Sequence, residues 1–542
     1  MDGLHIAEAV IGEGFAQSPD QHTDAAERPH DAEAVLVGQV IAHEDRPGAG
    51  KRRFDHEGAH RPALVHARGK EFDHHDAALQ LEAGAARQIF GEHIDHRLQG
   101  RFRTVMQGHA QGLFLDMQFR IFAYEGGDFL PGRGLLDMKS GLAAGIVALE
   151  RFADLDESPG NVLFVATPDE ENRSRGMISL RNTLPDIAEK YALDIVGGIN
   201  LDSTSDEGDG ADGRALYLGS VGKYSPFAFV VGRPTHAGYA YHGVSAHLIA
   251  AEIMRAIEFN DQLTDEAFGE RSPPPVCLEA RDVRHGYEVT TPAHVWLSFN
   301  WLTHSRSSTE MLAGFRSIVA AAIETALGSQ RSNARRYFGA LGKERPAFQD
   351  GQVLTYGKLR DLVRQRGGEQ ALGRIAAKEA SLAGENDQLA VSRELVALAV
   401  SEAGLEGPAV IIGFSSLHYP MVHINQAGDA GRDFHDRLKT AIATIEARHA
   451  TTIATKQFFA GISDMSFFGR RPDLASTSVL IDNTPAAMLS DHPPSSLLTY
   501  PVVNIGPWGR DYHQKWERVH APYTFGILPD LIYEAALRCF GD

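Results

Sequence analysis

The sequence predicts an α/β fold in which a mostly parallel sheet is sandwiched by helices. Two short, continuous apolar runs at 161–167 and 195–201 have the length and composition of strands buried on both faces. Residues 141–153 and 177–191 carry apolar side chains at helical spacing. Because strands and helices alternate in this order, the connections favour parallel strands with helices covering the sheet.

The same alternation continues along the rest of the chain. Strands are predicted at 226–231, 295–300, 409–414 and 501–505. Helices are predicted at 243–257, 309–327, 432–447 and 531–539, with a mostly helical stretch at 351–403. We find no internal repeat, so the pattern indicates a chain of several α/β units.

Composition narrows the class of protein. The 542 residues suffice for two or three domains, and the formal charge of 52 − 71 = −19 makes nucleic acid an unfavourable partner. Cys277 and Cys539 are too few for a disulfide framework or a thiolate metal site. No uninterrupted apolar run has membrane-spanning length, and the first residues lack the order of a secretory signal. We therefore expect a cytoplasmic enzyme or binding protein that does not enter a membrane.

The segment 1–122 differs from the rest. The first 123 residues hold 12 of the 25 histidines and neither tyrosine nor tryptophan. Only a strand-like run at 35–41 and a helix-like run at 77–89 interrupt its irregular pattern. Such a segment is a small separate domain, a disordered tail, or coding sequence read out of frame.

Acidic side chains follow the predicted strands. Glu170 and Glu171 come after 161–167, Asp202 ends the next strand, and Asp137 precedes the helix at 141–153. Each alone is more typical of a helix cap or a solvated surface. Together they gather at the carboxyl ends of sheet strands, where open α/β sheets build their sites. Because like charges repel, the pattern favours a divalent cation among them.

Adjacent glutamates suit metal-assisted hydrolysis. Neighbouring side chains in extended backbone point in opposite directions, so one carboxylate can bind metal while the other accepts a proton. Near the end of the chain, the glycine-rich stretch GPWGRDYHQKWE at 506–517 presents His513 as a candidate imidazole ligand. Glu517 is a candidate partner for that imidazole.

These motifs in this order resemble the two-zinc metallopeptidase and deacylase family, which includes glutamate carboxypeptidase, aminoacylase and succinyl-diaminopimelate desuccinylase. The resemblance covers about residue 124 to the end. The stretch GRGLLDMKSG at 132–141 is one of the motifs that carry the family resemblance. Four stretches are more similar to the arginine-utilisation (RocB-type) branch, and they are DEENRSRGM at 169–177, YLGSVGK at 217–223, FNWLT at 299–303 and ISDMS at 462–466.

The resemblance implies a role for each acid. Asp137 would bridge two divalent metal ions, with Glu171 on one and Asp202 on the other. His513 would be a terminal ligand, and Glu170 would act as general base and then general acid. The implied cofactor is zinc, with cobalt or manganese as alternatives. The implied substrate is a small N-acyl amino acid or peptide-like amide, with a place in arginine or amino-acid catabolism.

The resemblance also implies a domain plan. A phosphorylase/hydrolase-like catalytic domain at 123–221 and 349–542 would be interrupted by a smaller α/β lid at 222–348. Two copies of the protein would form a homodimer through that lid. His236, in GRPTHAG at 232–238, would reach across the dimer and stabilise the oxyanion in the active site of the other subunit. Other histidines considered for this role are His242, His247 and His520.

One expected feature has no clear match in the sequence. Members of the family carry an upstream His-x-Asp whose histidine is a further metal ligand, and this chain offers only weak candidates at His22, His43, His74 and His93. A non-catalytic or metal-deficient relative that acts as a binding and dimerising protein therefore stays open. A serine hydrolase using GFSSL at 413–417 is disfavoured, because leucine replaces the glycine that a nucleophile elbow requires.

Overall fold

The computed structural model of the protein describes residues 32–37, 128–205, 213–284, 286–344, 346–347 and 349–541. The four upstream candidate ligands, His22, His43, His74 and His93, lie outside these residues.

Strands and helices alternate through the described part of the chain. Its strands are β1 Ala32–Val37, β2 Phe129–Pro131, β3 Asn161–Phe164, β4 Leu193–Asn200, β5 Thr204–Ser205, β6 Ala215–Tyr217, β7 Gly219–Ser220, β8 Gly222–Tyr224, β9 Pro226–Val231, β10 Glu266–Ala267, β11 Glu270–Arg271, β12 Val276–Asp282, β13 His294–Thr303, β14 Gln352–Thr355, β15 Ala409–Phe414, β16 Val422–His423, β17 Ala454–Lys456, β18 Val502–Asn504, β19 Trp508–Arg510 and β20 Arg518–His520. Its α-helices are α1 Ser140–Ala153, α2 Arg175–Tyr191, α3 Ala246–Ile257, α4 Ser308–Ala340, α5 Tyr356–Ser381, α6 Gln388–Glu402, α7 Gly428–His449, α8 Leu474–Asn483 and α9 Leu528–Cys539.

The first sheet has the order β17-β6-β18-β4-β1-β3. Strands β18, β4, β1 and β3 are parallel, and β6 and β17 run antiparallel to them. On one face, Ile199 and Leu201 pack in a core with side chains of α7 and α9. On the other face, Ile195 packs with Met177 and Leu184 of α2. The predicted mostly parallel sheet covered by helices is confirmed.

Part of the N-terminal segment belongs to this sheet. Strand β1 lies between β3 and β4 and pairs with both in parallel, Ala34 opposite Asn161 on one side and Ile195 on the other. The strand predicted at 35–41 therefore occurs at 32–37. These six residues have a place in the fold; the rest of 1–122 lies outside the described residues.

A second sheet has the order β12-β13-β9-β15-β14. Helices α3 and α4 pack on one of its faces and α5 and α6 on the other. This sheet extends beyond the boundary predicted at residue 348, because β14 pairs with β15 and β15 pairs with β9 over six residues. We call this sheet with α3 to α6, from residue 222 to 414, the second unit.

Helix α4 is long and apolar enough to cross a membrane by length and composition alone, and it is the one such helix in the described ranges. Its buried side chains instead pack in the core of the second unit. They are Met311, Phe315, Val319, Ile323 and Leu327.

Candidate metal centre and active site

The sheet order brings together the acids that follow its strands. Strands β3, β4 and β18 are parallel, so their carboxyl ends lie at one edge of the first sheet. Glu171 follows β3 and Asp202 follows β4. His513 comes further along the chain after β18, in the loop behind β19, a short strand of a separate four-stranded sheet. Asp137 reaches the same edge from the turn before α1, where its peptide bond to Met138 is cis.

Three side chains are close enough to share one metal ion. His513 Nε2 lies 2.7 Å from Asp137 Oδ2 and 3.2 Å from Glu171 Oε1. The three donor atoms lie within 4.8 Å of one another. Zinc lies about 2.0–2.2 Å from nitrogen and oxygen donors, so this donor set fits one divalent cation. The hydrogen bonds to Asp137 and then Glu171 raise the pKa of His513 to about 10.

Asp202 is buried beside this group but is not one of the three mutually close donors. Its carboxylate accepts the Ser203 N–H at 2.8 Å, and its own N–H donates to Asn504 Oδ1 at 2.9 Å. Burial, followed by the charge of Asp137, raises the pKa of Asp202 to about 8. The charged carboxylate is therefore destabilised here unless a cation is present.

Glu170 lies in the same negative field. Burial raises its pKa well above the usual range, and the charges of Asp202, Asp464, Glu171 and Asp137 raise it further. Several carboxylates that repel one another in a buried position form a site whose charge a divalent cation would offset.

Asp464 is an acid of this cluster that the sequence reasoning did not assign. It is fully buried and accepts a hydrogen bond from Thr167 Oγ1 at 3.4 Å. Its charge contributes to the raised pKa of both Glu170 and Asp202. In the sequence, the stretch at 462–466 indicates only the similarity to the RocB-type branch. No role is predicted for Asp464, since it follows no predicted strand.

Glu517 stabilises the turn that carries Asp137. Its buried carboxylate accepts the N–H groups of Leu136 at 3.2 Å and Asp137 at 3.4 Å and pairs with Arg133. The expectation that Glu517 would partner His513 is replaced by this role, because its oxygens are directed at the backbone of the Asp137 turn.

Lys223 is a buried basic residue whose pKa is affected by the charge of Glu170, an interaction that the sequence did not predict. Its Nζ lies 5.5 Å from the centre of the Tyr419 ring. Burial lowers the pKa of Lys223 to about 8, and the charge of Glu170 opposes that shift. Lys223 therefore contributes a positive charge that acts on the acid cluster.

His236 is not part of this cluster within the described residues. It is exposed in the second unit, where its Nδ1 accepts the Gly238 N–H at 3.0 Å and its backbone bridges to Thr290. The three other histidines make contacts elsewhere, His520 against Phe129 and Trp508, His247 near Asp282, and His242 near Phe338.

The serine-hydrolase alternative does not fit the structure. Ser415 is fully buried, and its Oγ lies 2.7 Å from Ser298 Oγ and donates to the Ser225 carbonyl at 2.9 Å. Ser416 Oγ donates to Ser225 Oγ at 2.6 Å. Both hydroxyls are engaged inside the protein, so neither is placed to attack a substrate.

A mostly parallel sheet with a cluster of carboxylates and an imidazole at its carboxyl edge is typical of α/β metallohydrolases. The chain belongs to peptidase family M20/M25/M40, whose model matches residues 105–493. Members of this family hydrolyse peptide and other C–N amide bonds. The protein is therefore a metal-dependent amide hydrolase.

Comparison with individual proteins agrees with this family. YqjN of Bacillus subtilis is 30% identical over 415 residues, 75% of this chain and 74% of YqjN. RocB of the same organism is 28% identical over 421 residues, 76% of this chain and 73% of RocB. Succinyl-diaminopimelate desuccinylase of Wolinella succinogenes is 31% identical over 216 residues, 39% of this chain and 54% of that enzyme.

Among solved structures, the aminopeptidase PepT of Bacillus cereus is similar to the chain, with 14% identity, 76% of each chain covered and a TM-score of 0.39. Human carnosine dipeptidase 1 has 12% identity, covers 77% of this chain and 75% of its own, and gives a TM-score of 0.37.

Proposed function

We propose that the protein removes the acyl group from a small N-acyl amino acid, or cleaves a similar peptide-like amide, with two divalent metal ions. The observation that carries the proposal is the convergence of Asp137, Glu171 and His513 within 4.8 Å. Asp137 would be shared between the ions, with Glu171 and His513 on one side and Asp202 on the other. Zinc suits this mixture of carboxylate and imidazole donors, with cobalt or manganese as alternatives.

Glu170 is the proposed general base and acid. It adjoins Glu171 in the chain and lies within the field of the other acids, so it can face the water molecule that attacks the amide. The two cations, when bound, polarise the scissile carbonyl and lower the pKa of that water. Glu170 accepts the proton from the water and passes it to the leaving amine. The positive charge of Lys223 favours the ionised form of that carboxylate.

His236 is the proposed donor to the oxyanion of a partner subunit. Its described contacts stay within the second unit, and the ring is exposed. Strand β12 lies at the edge of the second sheet, and among described strands it pairs with β13 alone. An open edge of this kind, together with the exposed Tyr239 and Leu278, favours a homodimer formed through this unit. The acidic charge and two free cysteines suit a cytoplasmic enzyme of arginine or amino-acid catabolism.

The activity is tested by metal-dependent release of amines. We expect the zinc-loaded protein to hydrolyse at least one member of a panel of N-acetyl and N-succinyl amino acids, because the acid cluster can hold the ions. Removal of metal with a chelator should abolish the release, and added zinc should restore it. Failure of every amide in the panel with two bound ions would argue for the non-catalytic alternative.

Subunit mixing tests the role of His236. We expect His236→Ala to lower kcat by about 10²–10³ without loss of folding, because the exposed ring supports no core contact. Mixed dimers of His236→Ala and Glu170→Gln should regain about a quarter of the wild-type activity, since half of the dimers would contain one complete site. No recovery in verified mixed dimers would contradict donation across the dimer.

A further inference from the structure

The loop that carries the catalytic glutamates also carries a buried arginine. Arg173 follows Glu171 by two residues and is only 7% exposed. Arg175, two residues further on, differs: its side chain is 59% exposed and pairs with Asp169. One arginine of the loop is therefore an ordinary surface ion pair, and the other is enclosed.

The guanidinium of Arg173 has few partners in the described part of the chain. Its Nη1 lies 3.2 Å from the Met488 sulfur, and its buried Nε has no hydrogen-bond acceptor there. No carboxylate of the described residues lies within ion-pair distance of Arg173. Burial of a cation without a counter-charge is costly, and a bound anion would offset that cost.

Arg173 lies where the first sheet's loop meets the second unit. The carbonyl of its neighbour Asn172 accepts the Gln388 Nε2 of α6 at 2.6 Å. Met488 packs on the core beneath α5 and α6. The Arg173 guanidinium therefore lies at the junction between the loop and the second unit.

The same loop leads back to the catalytic acids. Ser174 Oγ donates to Tyr419 Oη at 2.9 Å, and the Tyr419 ring lies 5.5 Å from the Nζ of Lys223, on which the charge of Glu170 acts. The two peptide units between Glu171 and Arg173 span at most about 7 Å. Arg173 therefore lies on the same short stretch of chain as the proposed ligand Glu171.

We propose that Arg173 binds a carboxylate of the substrate, so that the enzyme selects amides that carry a second, anionic group. This inference rests on the proposed amide hydrolysis for the identity of the ligand. A planar guanidinium matches a carboxylate with two parallel hydrogen bonds, which a neutral amide cannot reproduce. The unpartnered Nε supplies one of the two donors.

Calorimetric titration with two ligands of equal size tests whether Arg173 favours a second carboxylate. Zinc-loaded protein is titrated with succinate and with succinamate, its monoamide, at matched ionic strength. Either analogue can place one carboxylate on the metal, but only succinate offers a second carboxylate to Arg173. We expect the wild-type protein to bind succinate at least tenfold more tightly than succinamate. A charge-assisted hydrogen bond contributes enough binding free energy for a difference of this size.

The matched variants are Arg173→Gln and Arg175→Gln, which remove the same charge from the same loop. The succinate preference should vanish in Arg173→Gln and persist in Arg175→Gln. An unchanged preference in Arg173→Gln, or an equal loss in both variants, would overturn the proposal. Equal binding of sulfate and succinate at Arg173 would also overturn it, because the residue would then hold inorganic anions without regard to the substrate.

Melting temperature separates binding from a structural role. Without ligand, Arg173→Met should melt at or above the wild-type temperature, because an apolar side chain replaces an uncompensated cation. Succinate should then raise the melting temperature of wild type more than that of Arg173→Met. A marked fall in the ligand-free melting temperature would mean that Arg173 has a partner within the chain. These readouts do not require turnover, so they stand apart from the test of amide hydrolysis.

Discussion

Glu170→Gln is expected to reduce kcat by about 10²–10⁴ while the protein keeps its bound metal. Glutamine preserves the size of the side chain but cannot accept the proton from the attacking water. Glu170 is placed among the acids of the cluster without being one of the three close donors, so its loss should leave the ion-binding group intact. The measurement is kcat on an N-acyl amino acid together with metal content by mass spectrometry.

Glu157→Gln provides the matched control, because Glu157 is exposed and lies outside the site. That variant should keep wild-type kcat and metal content. Near-normal turnover by Glu170→Gln would remove Glu170 as the base. Loss of metal in the same variant would instead make Glu170 a ligand.

Asp137→Ala should lose the affinity for both metal ions and, with it, the activity. Asp137 Oδ2 is 2.7 Å from His513 Nε2, and the charge of Asp137 acts on Asp202 more than any other single charge, which supports the proposal that Asp137 is shared by both ions. Removing a shared ligand weakens both positions at once. Metal stoichiometry after dialysis against a weak chelator, measured for wild type and variant, checks this expectation.

The control for Asp137→Ala is Asp156→Ala, which removes an exposed aspartate from the same unit. It should retain the wild-type number of ions. Two ions retained by Asp137→Ala would contradict a bridging position, and one retained ion would place Asp137 on a single metal.

The buried strands were predictable from the sequence. The runs at 226–231 and 409–414 are continuous and apolar, and the structure has strands at these bounds, Pro226–Val231 and Ala409–Phe414. Each is buried along its whole length, so every position had to be apolar. Helix α4 was predicted at 309–327, and in the structure it continues to Ala340. The prediction stopped early because the last turns of the helix carry polar residues on an exposed face.

Short strands and edge strands could not be predicted from continuous apolar runs. Strand β12, Val276–Asp282, is half-exposed and mixes charged with apolar residues, as an edge strand can. Strand β14, Gln352–Thr355, has four residues and lies next to a long helix. Because both went unpredicted, the second unit was placed too short, ending at 348.

The sequence led us to expect Glu171 and Asp202 at one edge of the sheet, because parallel strand ends share an edge, and the structure brings them to that edge. His513 was a candidate from its glycine-rich loop, and its role as a ligand stays a prediction. Asp464, Lys223 and Arg173 required the structure, since their importance depends on which side chains surround them. Arg173 and Arg175 cannot be distinguished from the sequence, because both are arginines of the same polar stretch. The structure distinguishes them, since Arg173 is buried and Arg175 is exposed.

Anomalous diffraction from crystals of the zinc-loaded protein tests most directly whether the clustered acids bind two metal ions. We expect two peaks about 3.5–4 Å apart, one bound by Glu171 and His513, the other by Asp202, with Asp137 between them. A single peak would favour the metal-deficient relative. No peak at these residues, or zinc bound only elsewhere, would contradict the metal centre itself.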